Sequence, residues 1–441
     1  MTMGRRALLA VLVLPVACGA RTALLLPGEG AGGGGSGGSG GGGATPLAVV
    51  CHAALQDGAP TPTQGFCTTR ANQASVVGPE APVVAWAVAP FPIPSPEDYL
   101  PAEMVVDASG RAYVAINASP MAPTGTANQL FAVDADGSVA WRTTFDSTIG
   151  PLSIGRDGNL WFSLYLIADG NDFPASSNVT GLSPDGTPVV TIAPSVRSFS
   201  LMAIASDGSF FVGSDGLARI APDGTVLWQN DYGQFGTSMV VGPDDDVVTD
   251  ENVFDSAGTS VSTSPPGEVL AVDSHDTVFG LTANPGGSVA ITTTDPSYAN
   301  GIVLEGPASN IDAYELALAG DGSALVLLAD EASAPGLTKA HLQILAVEPW
   351  GGHVRWTTPL DVTLPYDPAN LTTHYGLFVD AAGTVVVTAG TVMGLDLASG
   401  AVLWTLQPAN ATSCLRPAVL GTGRSIIATQ CDGTVFLARD P

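Results

Sequence analysis

From about residue 80 onward, apolar positions fall in short alternating or continuous runs, each preceded by a turn of Asp, Ser, Gly or a similar small polar residue. Ser109-Gly110 leads into Arg111-Ala-Tyr-Val-Ala115, Asp157-Gly158 into Asn159-Leu-Trp-Phe-Ser163, and Asp207-Gly208 into Ser209-Phe-Phe-Val-Gly213. The same unit recurs at Asp245-Asp246, His275-Asp276, Asp321-Gly322, Ala382-Gly383 and Thr422-Gly423. Gly supplies the positive φ of a tight turn and Asp its local hydrogen bond, while β-branched and aromatic side chains suit a pleated surface. The pattern predicts hairpins throughout and an all-β chain.

Successive turns are 30 to 61 residues apart, a spacing that suits one four-stranded unit per repeat. Eight copies predict an eight-bladed β-propeller with four-stranded blades. The units around Asp246 and Asp276 are short or lack the Trp signature, which makes seven blades the alternative. Most units carry a second turn and strand: Asp134 to Trp141, Ala221 to Trp228, Trp350 to Trp356 and Ala398 to Trp404, with Val190 in the Trp slot of a weaker copy from Ser183. The segment Pro82 to Val88, with Trp86, and the C-terminal Thr434 to Ala438 are each a fraction of a blade. An N-terminal outer strand completing the last blade closes the ring and removes exposed edges.

This second signature, above all Met393-Gly-Leu-Asp-Leu-Ala-Ser-Gly-Ala-Val-Leu-Trp404, resembles the tryptophan-docking repeat of the PQQ-like, quinoprotein-type propellers. The resemblance spans roughly residues 80 to 441 and implies that Trp86, Trp141, Trp228, Trp356 and Trp404 pack between neighbouring blades. It implies architecture rather than activity, because one fold serves enzymes, binders and scaffolds. The catalytic branch of that family carries a vicinal cysteine pair and calcium-ligating Glu, Asn and Asp around its quinone. No Cys-Cys dipeptide occurs here, and the acidic cluster Asp244, Asp245, Asp246, Asp250 and Glu251 has the look of surface turns.

Ahead of the repeats, Arg5 and Arg6 precede an apolar run from Ala7 to Ala17, the length of a secretory h-region and too short to span a bilayer. Leu14-Pro-Val-Ala-Cys18 resembles the lipobox of bacterial lipoproteins, which implies lipidation at Cys18; Gly19 in the next position then favours the outer membrane or cell surface. A secreted or periplasmic protein is the alternative. Residues 28 to 44 are almost wholly Gly and Ser, a composition that forms no core and behaves as a tether. The expected organisation is a signal peptide at 1–18, a tether at 19–46, a disulfide-containing segment at 47–79 and the propeller at 80–441. Cys51, Cys67, Cys414 and Cys431 allow three pairings in an oxidising compartment; Cys51 with Cys67 and Cys414 with Cys431 is the simplest.

The chain has 41 acidic and 14 basic residues, a net charge of -27, so nucleic acid would be repelled. The longest segments between predicted strands belong to second-to-third-strand and blade-to-blade connections, which share one rim: Pro90 to Glu103, Asn117 to Asn128, Ala168 to Ser177, Ala329 to His341 and Asp361 to Thr373. Long loops on a rigid scaffold are where binding concentrates. The candidate ligand-binding residues there are Glu97, Asp98, Tyr99, Tyr314, Glu315, Tyr366, Asp367, His374 and Tyr375. Carboxylates beside aromatic rings suit a sugar, a cationic side chain or a peptide. The expected protein is a monomeric, non-catalytic envelope binder or scaffold for a protein or glycan, resembling the propeller lipoprotein of the outer-membrane β-barrel assembly machinery and needing no cofactor or metal. The alternative is an extracytoplasmic quinone- and calcium-dependent dehydrogenase, or a propeller hydrolase or lyase.

Overall fold

The computed structural model describes residues 53–63, 67, 72–90, 103–118, 126–167, 174–196, 199–214, 216–230, 239–249, 252–263, 268–273, 277–284, 288–294, 302–305, 313–334, 337–348, 352–365, 375–408 and 415–441. Residues Thr45–Pro441 form one compact unit. It is an eight-bladed β-propeller of four-stranded antiparallel blades, and no helix occurs among the described residues. Blades 1 to 7 run in chain order over 103–145, 148–192, 199–230, 239–263, 268–305, 313–365 and 375–406. The two short units therefore build complete blades 4 and 5, and the count is eight rather than seven.

Blade 8 is shared between the two ends of the propeller sequence. Its three inner strands are Val419–Gly421, Ser425–Thr429 and Val435–Arg439, and its outer strand is Val83–Val88, paired antiparallel with Val435–Arg439. Where other blades turn covalently from third to fourth strand, Asp440 bridges the gap: its Oδ1 accepts the backbone N–H groups of Glu80 at 2.9 Å and Ala81 at 2.8 Å. Arg424 is paired with Glu80 at the same seam.

The core lies between blades. Alternate residues along each inner strand serve opposite neighbours: Met104 and Val106 pack toward blade 8, while Val105 packs toward blade 2. Trp side chains on the outer strands of blades 1, 3, 6, 7 and 8 pack toward the next blade as the repeat implied. The indole N–H groups of Trp86, Trp141, Trp228 and Trp356 donate to Ala135, Pro184, Ser256 and Leu397, carbonyls of the following blade's third-to-fourth-strand turn, at 2.8 to 3.0 Å. The ring lies so close to that turn that a Cβ at Gly186 would sit 2.7 Å from Trp141, and one at Gly400 2.5 Å from Trp356.

Two segments read as connections are strand instead. Blade 6 has long outer strands, Ala324–Ala334, Leu337–Val347 and Val354–Pro365, which absorb most of Ala329 to His341 and the start of Asp361 to Thr373. Asp, Glu, Ser and Pro within these stretches mask the period of two, and cross-strand pairing supplies the order that side-chain pattern does not advertise.

Candidate binding face

The two faces of the ring are built differently. On one, first-to-second and third-to-fourth-strand turns are short and held by Asx hydrogen bonds. Asp107 Oδ1 accepts from the N–H groups of Ser109 (2.8 Å) and Arg111 (3.0 Å), and Asp380 Oδ1 from those of Ala382 (2.9 Å) and Thr384 (2.7 Å). The Tyr113 hydroxyl donates to Asp107 Oδ2 at 3.1 Å; burial first, then that carboxylate, push the Tyr113 phenol pKa up. Asp245 takes a positive φ of 61° in the slot that glycine fills elsewhere, accepts from Ser206, and meets the Arg219 guanidinium at 3.1 Å. It is thus a latch between blades 3 and 4; Asp250 and Glu251 lie outside the described residues.

The same face carries the N-terminal segment. Residues 53–63 and 72–81 lie along the C-terminal ends of inner strands from several blades, with bridges Leu55 to Gly155, Thr61 to Val106, Thr63 to Ser153 and Gln73 to Val379. Thr61, Thr63, Cys67, Gln73 and Ala74 are buried there.

The opposite face receives the second-to-third-strand and blade-to-blade connections. Of the candidate residues, Glu97, Asp98, Tyr99, Tyr366, Asp367 and His374 lie outside the described residues. Tyr314 and Glu315 sit on the inner strand of blade 6, Ala313–Leu318, and Tyr375 begins that of blade 7, Tyr375–Val379. Tyr375 is buried in the cluster between these blades, which includes Ala317. Glu315 is half-buried and shares the strand face of Ala317, so Glu315 and Tyr375 belong to the same inter-blade space.

A second carboxylate and phenol meet between blades 1 and 2, and neither was a sequence candidate. Glu103 opens the inner strand of blade 1, and its Oε2 accepts the Leu152 N–H at 3.2 Å. Leu152 lies where the inner strand of blade 2 is interrupted, between Thr148–Ile149 and Ser153–Ile154. Tyr165 pairs with Thr148 at the same end of blade 2. Burial, then the negative charge of Glu103, raises the Tyr165 phenol pKa. A findable signal existed: inner strands otherwise carry no charged residue, yet Glu103, Glu268 and Glu315 each lie on one.

No group of three His, Cys, Asp or Glu poised to hold a metal ion occurs among the described residues. Of the acidic cluster, Asp245 is committed to Ser206 and Arg219, and Cys67 and Cys431 are each disulfide-bonded.

Comparison with solved structures places this geometry among known propellers. BamB from Moraxella catarrhalis is similar over 82% of this chain and 98% of its own, at 16% identity and a TM-score of 0.45. A quinohaemoprotein alcohol dehydrogenase from Pseudomonas putida matches over 87% of this chain and 80% of its own, at 10% identity and a TM-score of 0.52. A streptogramin B lyase matches over 80% and 97%, at 12% identity and a TM-score of 0.40. The likeness is one of fold. These relatives include quinoprotein-type propellers, as the Trp repeat implied, and their differing names leave activity open. No family model and no curated protein matches the chain.

Proposed function

We propose that this chain is an exported, envelope-anchored binding or scaffold protein that takes a protein or glycan partner on its long-connection face. The observation that carries the reading is the asymmetry of the ring. One face is occupied by Asx-held turns and the N-terminal segment, while Glu103 and Glu315 lie on inner strands that begin at the other, and Tyr165 lies near the end of a second strand that reaches it. Partly buried carboxylates, one of them beside a phenol, favour partners that offer ammonium, guanidinium or hydroxyl donors. We include Glu97, Asp98, Tyr99, Tyr366, Asp367 and His374 in the proposed site because they offer the same carboxylate and aromatic chemistry. Residues 1–18 act as signal, Cys18 carries the lipid, and 19–46 are the leash.

The test is capture from envelope extract and glycan arrays by the full chain, followed by Glu103→Gln with Glu315→Gln. The double variant should lose about tenfold in affinity, the scale of one charge-assisted contact. Unchanged capture would sink the face assignment, whereas a calcium-dependent quinone absorption band and turnover would replace the binder with an enzyme. Cys18→Ser should move the protein from the membrane to the soluble fraction; continued membrane partitioning would reject the anchor.

The disulfides belong to the same reading. Leu415 bridges Gln430 antiparallel and the Arg416 N–H donates to the Thr429 carbonyl, a register that favours Cys414 as the partner of Cys431 and so Cys51 as that of Cys67. Non-reducing peptide mapping should recover these two linked pairs, and a Cys67–Cys414 peptide would refute them.

A further inference from the structure

We propose that residues 53–63 and 72–81 are a built-in stopper that closes the tight-turn end of the central channel, leaving the long-connection face as the mouth through which a partner engages the ring end-on. The inner strand of each blade is paired on one side only; its other edge faces the channel, and its backbone groups there need either water or another chain. At the tight-turn end, this protein supplies the chain itself. Val106 N–H donates to the Thr61 carbonyl at 2.7 Å, Ile154 N–H to Pro62 at 2.7 Å, and Arg156 N–H to Ala54 at 2.8 Å. On blade 7, Val379 N–H donates to the Asn72 carbonyl and Ala381 N–H to Val76, each at 2.9 Å.

The contacts return in the other direction. Ala54 N–H donates to the Ala205 carbonyl of blade 3, Thr61 Oγ1 to the Leu420 carbonyl of blade 8 at 2.8 Å, and Asn72 Nδ2 to the Leu316 carbonyl of blade 6 at 2.7 Å. Blades 1, 2, 3, 6, 7 and 8 are thereby tied by one stretch of chain. In a ring of eight, blade 2 lies opposite blade 6 and blade 3 opposite blade 7, and Cys67, buried between the two sets of contacts, is held by a disulfide. A passenger segment would satisfy its backbone with water. This one uses the inner-strand edges of opposite sides of the ring, which is what a stopper requires.

The end-on half of this inference rests on the binding reading above; the stopper half does not, and hydrogen exchange on the full chain isolates it. The amides of Val106, Ile154, Arg156, Val379 and Ala381 should exchange as slowly as those bonded between first and second strands of the same blades. Exchange at the rate of surface-loop amides would show the segment detached in solution and overturn the proposal. A second variant carries a protease site inserted between Thr68 and Thr69 and is cut after folding. The amides of Val106, Ile154 and Arg156, bonded to the side that the cut releases, should then exchange at least about tenfold faster, while those of Val379 and Ala381 and of blades 4 and 5 keep their rates. Unchanged rates at those three after cutting would also overturn it. Loss of partner capture with slow exchange intact would instead indict the binding reading alone.

Discussion

Arg219 shows how much of the ring's cohesion can rest on one side chain. It is buried, its Nε donates to Ser209 Oγ at 2.7 Å and its Nη1 to the Ser256 carbonyl at 2.9 Å, and it lies 4.9 Å from the Phe211 ring centre while paired with Asp245. Removing one partner of a buried pair leaves the other charge unpaired, though Ser206 still serves Asp245 here. Arg219→Met should therefore cost about 3 kcal/mol and lower Tm by about 4 °C in a chain of this size; a shift within error would mean the latch is idle. Asp321 gives a pH signature. Burial works against its ionisation, but Arg355 at 2.8 Å and the Ser323 N–H outweigh that and hold its pKa below the ordinary 3.8. A depressed folded value contributes stability that is complete above the unfolded pKa and disappears as pH falls through the folded one. Asp321→Asn should thus show a smaller loss of Tm between about pH 5 and pH 3 than the parent. Parallel profiles would count against the pair. Both latches were opaque in the sequence, because Arg219 and Arg355 find their acids 26 and 34 residues away, across a blade boundary or a hairpin.

The outer-strand tryptophans were legible as an element because Gly and Trp recur at fixed offsets, and the close approach of ring to turn is the physical reason they must. One member breaks the pattern. Trp356 and Trp404 are equally buried, at 9% exposure, yet the Trp356 N–H donates to Leu397 at 2.8 Å and the Trp404 N–H has no partner among the described residues. Trp404 packs against blade 8, the blade whose third-to-fourth-strand turn is replaced by the seam between Arg439 and Val83. The carbonyl that such a turn offers elsewhere is missing because the chain does not turn there. Trp356→Phe should consequently destabilise more than Trp404→Phe by about 1 kcal/mol, the net worth of a hydrogen bond. Equal losses in paired thermal melts would show that indole bonding to the turn contributes nothing. The N-terminal segment escaped a pattern-based reading for the opposite reason. It pairs through isolated bridges and carbonyls, in a Pro-, Thr- and Ala-rich stretch with no period to detect.

At the scale of the whole molecule, ring closure follows from the arithmetic of incomplete pieces: a Trp-bearing strand at one end and an apolar strand at the other, each useless alone. The structure pairs Val83 with Arg439 through to Val88 with Val435. The site was less legible. Tyr375 reads as a rim aromatic and is core, while Glu103 reads as the end of a loop and opens an inner strand, because a sequence shows where a residue sits along a strand but not which blade faces it. Closure by residues that precede the first blade has a sharp consequence. A chain beginning at Ala89 keeps seven complete blades but leaves the edge of Val435–Arg439 unpaired and removes the segment that ties six blades together. An exposed apolar edge recruits other chains. Residues 89–441 alone should accumulate as aggregate, and co-expression with residues 45–88 as a separate peptide should restore a soluble complex, because the missing strand needs only its hydrogen-bonding register and not a covalent link. A soluble, monomeric 89–441 fragment with the parent Tm would show that seven blades and a three-stranded remnant suffice. Rescue by residues 79–88 as fully as by 45–88 would assign closure to the outer strand and leave the preceding segment the channel end alone.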